Sequence, residues 1–110
     1  MDAFSLLKTL GYTVKLSQNG EQFYQNVFKN DSLVIGRDEN CDLNIQSASV
    51  SRRHFRLDVE DDKIFISDLG SSNGTSVDGI QISEKVQISS RSIIKAGRIT
   101  IQIVFPEAQL

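Results

Sequence analysis

Tryptophan is absent from the 110 residues, and cysteine, proline, histidine and methionine occur once each. A lone Cys41 excludes an internal disulfide and points to a reducing, cytoplasmic setting. One histidine and one cysteine are too few for a zinc site, which takes about four such donors or three plus water. No metal and no cofactor are therefore expected. Pro106 lies past the last apolar alternation, where it interrupts no strand. No apolar run is long enough to span a membrane. The opening residues, with Asp2 and Lys8 and no small-residue cleavage site, do not read as a signal peptide. There is no basic excess either. Twelve Lys and Arg face 14 Asp and Glu, a net charge of −2, which argues against a nucleic-acid partner. Repeats, low-complexity tracts and linkers are also missing. The length fits one domain, alone or within a larger protein.

What is present reads mostly with a period of two. Tyr12, Val14 and Leu16 alternate with Thr13, Lys15 and Ser17, and Asn19-Gly20 marks a tight turn. Phe23 to Phe28 and Ser32 to Arg37 form two further strands. From His54 to Glu60, the residues Phe55, Leu57 and Val59 take one side and Arg56, Asp58 and Glu60 the other. Asp61-Asp62 turns the chain into Lys63 to Ser67. Near the end, Ile99, Ile101, Ile103 and Phe105 alternate with Thr100, Gln102 and Val104. Short strands with regular turn signals predict an all-β sandwich of two sheets. Residues 2–10 depart from this pattern. Phe4, Leu7 and Leu10 share one helical face and Gly11 stands as a stop, which predicts a short helix. Tyr12 falls at its end or at the start of the first strand.

Three connections carry unusual polar chemistry. They are Gly36-Arg37, Ser51-Arg52-Arg53-His54 and Gly70-Ser71-Ser72-Asn73-Gly74-Thr75. They supply guanidinium groups, hydroxyls, an amide and glycine turns, but no nucleophile with its base. That set suits a phosphorylated side chain, which carries about −1.5 to −2 charges and three acceptor oxygens. Arginine meets it with a fork of donors and permanent charge. In a chain of net negative charge, the anion needs positive charge concentrated locally, and Arg37, Arg52 and Arg53 are the candidates.

The order and spacing of these segments resemble the signature of the forkhead-associated (FHA) family, over roughly residues 13–105. The resemblance implies an FHA-like β-sandwich of antiparallel and mixed sheets, about eleven short strands, whose loops at one end bind phosphothreonine in a partner protein. On that reading residues 13–106 are the phosphopeptide-binding domain, 1–12 an N-terminal extension with the short helix, and 107–110 a tail. Arg37, Ser51 and Arg52 resemble the residues that contact the phosphate, and Ser72 stands near it. Asn73 resembles the residue that holds the peptide main chain. Gly36, His54 and Gly74 resemble positions that shape the loops. Ser49 departs from the pattern, since some relatives carry a ligand-contacting arginine there. Asp78-Gly79 and Ser90-Arg91-Ser92 replace more usual turn pairs, and the N-terminal helix lies outside the pattern.

Other readings of the same residues are weaker. Residues 70–74 fit Gly-x-Ser-x-Gly, but a hydrolase elbow needs a helix next, and β-like Thr75 to Val77 follow. No enzyme activity is expected. Asp58, Glu60, Asp61 and Asp62 read as a solvated acidic turn because they lack calcium-loop spacing. Ser71 reads as part of a solvated turn, and Arg53 as pointing into water. Cys41 reads as a half-buried apolar residue beside Leu43 and Ile45. An alternative function for the same fold is phosphate-independent assembly or self-association.

Overall fold

The computed structural model describes residues 5–107. A helix, α1 (Leu6–Leu10), precedes eleven strands: β1 (Tyr12–Gln18), β2 (Glu21–Phe28), β3 (Ser32–Gly36), β4 (Leu43–Asn44), β5 (Phe55–Glu60), β6 (Lys63–Asp68), β7 (Thr75–Val77), β8 (Ile80–Gln81), β9 (Val86–Ile88), β10 (Ile94–Ala96) and β11 (Ile99–Val104). One sheet runs β2-β1-β11-β10-β7-β8 and the other β4-β3-β5-β6-β9. The β3–β4 pair is parallel, so the second sheet is mixed. This is the two-sheet β-sandwich that the alternation implies.

The core follows from the period-two pattern. Val14, Leu16, Leu33, Ile35, Phe55, Leu57, Ile64, Ile66, Ile101 and Ile103 are buried between the sheets. Tyr12 belongs to β1 and is buried too, its hydroxyl donating to the Asn30 carbonyl at 2.9 Å. Burial, then the carboxylates of Asp42, Asp31 and Asp58, push its phenol up to about 12. Phe105 falls just beyond β11.

Three hairpins turn on two residues that both have positive φ: Asn19-Gly20, Asp61-Asp62 and Asp78-Gly79. That backbone matches the twist of the flanking strands. Asp62 also does something an acidic surface turn would not. Its Oδ1 accepts the Ser5 hydroxyl at 2.8 Å and the Leu7 N–H at 3.0 Å, so the β5–β6 tip caps α1. The Leu7 amide bond foremost, against a smaller effect of burial, holds the Asp62 carboxyl below its ordinary value. Leu7 joins the sandwich core, whereas Leu10 is 50% exposed, so the two do not share a buried face. Phe4, the third member of the predicted helical face, lies outside the described residues. The capping contact sits at the end of the sandwich away from residues 51–54, because β5 leaves Phe55 beside that segment and reaches Glu60 at the other end.

Candidate functional site

The three polar connections converge at one end of the sandwich, and backbone hydrogen bonds fix how. The Arg37 N–H donates to the Ser51 carbonyl at 2.9 Å, and the Asp38 N–H to the Arg52 carbonyl at 3.1 Å. Gly36 makes this approach feasible, since a methyl group there would collide with the Arg52 carbonyl. The Ser72 N–H donates to Ser51 Oγ at 3.0 Å, and Asn73 Nδ2 to the Ser49 carbonyl at 2.7 Å.

His54 is fully buried beneath these loops. The Ser51 N–H can only donate, so Nδ1, 3.0 Å away, accepts. The ring proton of the neutral form therefore sits on Nε2, which donates to the Gly74 carbonyl at 2.8 Å. Gly74 itself has φ of 78°, a conformation that favours glycine.

The groups left over face solvent. Arg37 anchors its Nε on the Val50 carbonyl at 3.0 Å, and among the described residues its two terminal nitrogens take no hydrogen-bond partner. Ser51 Oγ receives one N–H and retains its own O–H proton. Arg52, Arg53, Ser72 and Asn73 are exposed. Among the described residues the ion pairs are Lys8–Asp31, Arg56–Asp58 and Lys85–Glu60. None of them engages Arg37, Arg52 or Arg53, so the cations at this end are not neutralised by the protein's own carboxylates. Also among the described residues, no group of three or more His, Cys, Asp or Glu side chains is placed to hold a metal, and no helix is long and apolar enough to cross a membrane.

Two supporting residues carry no motif-level signal. Asp68, at the end of β6, accepts four hydrogen bonds: from the Gly70 and Ser71 amides at 3.0 Å each, and from the Ser71 and Thr75 hydroxyls at 2.6 Å each. Burial alone would raise its carboxyl. The Ser71 and Thr75 hydroxyls and the two amides outweigh burial and hold it below the usual carboxylate range. Ser71 is therefore tied into the loop and is no solvated bystander. Ser49 is the second such residue. Besides the Asn73 bond, its Oγ accepts the Arg98 N–H at 2.9 Å, which ties the β10–β11 turn to the same end. Cys41 is half-buried, its Sγ 3.1 Å from the Arg52 carbonyl, and burial foremost pushes its thiol up. A raised thiol is a poor nucleophile at neutral pH.

The loops at one end of the sandwich thus gather a donor hydroxyl and guanidinium groups that no carboxylate among the described residues pairs. Residues 33–97 match the family model of the FHA domain, and the chain belongs to that family. FHA domains are binding modules and not enzymes. Mouse proliferation marker protein Ki-67 is 29% identical over 83 residues, covering 76% of this chain and 3% of that protein. FhaB of Mycolicibacterium smegmatis is 28% identical over 74 residues, covering 67% of this chain and 48% of that protein. The chain thus spans about half or far less of the curated relatives it matches. Among solved structures, the FHA domain of CT664 from Chlamydia trachomatis superposes with a TM-score of 0.80 at 22% identity, covering 88% of this chain and 99% of that one. The FhaA FHA domain complexed with the intracellular domain of Rv3910 gives 0.74 at 25% identity, covering 84% and 98%.

Proposed function

We propose that the loop end of residues 13–106 binds a phosphothreonine-bearing segment of a partner protein. The observation that carries this reading is the Arg37 guanidinium, braced through Nε on the Val50 carbonyl and, among the described residues, paired with no carboxylate, on a loop bonded directly to Ser51. Its fork would take two phosphate oxygens, and the Ser51 hydroxyl a third. Arg52 adds charge from the same segment. Ser72 lies beside the phosphate, and Asn73 keeps its carbonyl oxygen and one amide hydrogen for the peptide main chain. Gly36, His54 and Gly74 hold the loops and do not touch the guest. The FhaA relative, in complex with another protein's intracellular domain, supports a protein partner. The unpaired Cys41 thiol suits a cytoplasmic setting.

The test is titration of a phosphothreonine peptide library, with phosphoserine and unphosphorylated counterparts, against wild type and Arg37→Ala. A charge-assisted hydrogen bond contributes roughly 1.5–3 kcal/mol, so the variant should bind about ten- to a hundredfold more weakly. Equal affinity for phosphorylated and unphosphorylated peptides would remove the phosphate from the recognition. Unchanged affinity in the variant would remove Arg37.

A further inference from the structure

A second exposed feature lies on β2, a strand that carries none of the side chains assigned to the phosphate. This strand is an edge of the six-stranded sheet and, among the described residues, pairs only with β1. Register sets its two faces. Tyr24, Asn26 and Phe28 lie opposite the buried Leu16, Val14 and Tyr12. Gln25 and Val27 lie opposite Lys15 and Thr13 and face outward. The register shift between Leu16 and Ser17 places Phe23 as an extra residue, and it turns outward as well. Phe23 and Val27 are 55% and 52% exposed. The Val27 N–H donates to Asn26 Oδ1 at 2.9 Å, so this donor is held by its neighbour's side chain and can be exchanged for a strand carbonyl. The eight residues from Glu21 to Phe28 contain no lysine and no proline, the residues that commonly guard an open edge.

This edge is complementary to itself when turned antiparallel. With Gln25 on a two-fold axis, Val27 of one copy meets Phe23 of the other, and Glu21 runs to Lys29. Each of these contacts occurs twice by symmetry. Among the described residues neither Glu21 nor Lys29 takes part in an ion pair, so both charges are available. We infer that a second copy of this chain adds to β2 about this axis and joins two six-stranded sheets edge to edge. The contact is isologous and closes at the dimer. It joins main-chain pairing to apolar and opposite-charge cross-strand pairs. It uses none of the residues assigned to the phosphate, so phosphopeptide binding and dimerisation succeed or fail separately.

Sedimentation of phosphatase-treated protein from micromolar to millimolar concentration tests the inference, because that treatment removes phosphate-bridged association. A monomer–dimer equilibrium is expected. Glu21→Lys alone and Lys29→Glu alone each set like charges opposite one another and should weaken the dimer about tenfold. The double variant Glu21→Lys/Lys29→Glu should restore it, and a mixture of the two single variants should form a heterodimer. These side chains are exposed, so none of the changes disturbs the core. A monomer at every concentration, or a dimer indifferent to both single reversals, overturns the proposal.

Discussion

The imidazole of His54 donates from Nε2 to the carbonyl of Gly74, 2.8 Å away and 20 residues further along the chain. With the Ser51 N–H on its other nitrogen, one buried ring links the Ser51 loop to the Ser72–Asn73 loop. The distance between the groups that would hold a guest is therefore set from beneath, before any guest arrives. Such preorganisation spares a binding site the cost of ordering its own loops.

His54→Ala removes both bonds and leaves a backbone N–H and a carbonyl without partners below the loops. Each stranded group costs roughly 1–3 kcal/mol. The melting temperature should fall by several degrees, and phosphopeptide affinity should fall with it because the two loops lose their common tie. Calorimetry on the free domain checks the first effect and isothermal titration the second. A variant with the wild-type melting temperature would show that the ring is not a structural tie.

Gly36→Ala tests the contact between β3 and the Arg52 backbone. The added methyl meets main chain, which cannot rotate aside as a side chain would. Overpacking of this kind costs about 1–3 kcal/mol. Chemical denaturation should register that loss. The amide shifts of Arg37 and Asp38 should move most in the NMR spectrum, since their N–H groups donate across this contact to the Ser51 and Arg52 carbonyls.

Acid should destabilise the domain partly through Asp68. Its folded-state carboxyl is held below the ordinary value, so the unfolded chain binds the proton more readily. The stabilisation is complete above the unfolded value of about 3.9 and is lost as pH falls through the depressed native value. Asp68→Asn should lower stability at neutral pH and flatten the acid limb of the stability curve. Denaturant titrations from neutral pH down to the acid transition read both effects. An acid limb as steep as that of wild type would assign it to other carboxylates.

Asp62→Ala should release α1 and leave the strands in place. Loss of a capping group costs about 0.5–2 kcal/mol. Amide hydrogen exchange at Leu7 should accelerate, while the core amides of β5 and β11 keep most of their protection. Equal acceleration in helix and core would mean that α1 and the sandwich open as one unit.

The strands were legible in the sequence because each buries one face, and that leaves a period-two trace in Val14-Leu16, Phe55-Leu57 and Ile101-Ile103. The three two-residue hairpins announced themselves through Asn-Gly, Asp-Gly and a less common Asp-Asp pair. The segments around Arg37, Ser51 and Ser72 stood out because arginines, hydroxyls and glycines cluster there without apolar periodicity. The supporting contacts left no such trace. Asp68 is one acidic residue at a strand end, and only the folded loop turns four donors toward it. Asp62 caps a helix 55 residues earlier in the chain, a partnership that no local spacing encodes. Leu10 fits a helical apolar face as well as Leu7 does. It is the last residue of the five-residue helix, where the fold leaves it 50% exposed.

The antiparallel register of β1 and β11 sets Thr13 beside Val104. That pair lies at the pole remote from Arg37 and Ser51, since the opposite ends of the same two strands approach the Ser49–Arg98 bond. Both flanks of the sandwich thus emerge as neighbours from its base. Spliced into a longer polypeptide, it would hang like a pendant on a double stem, with Arg37 and Ser51 at its far end.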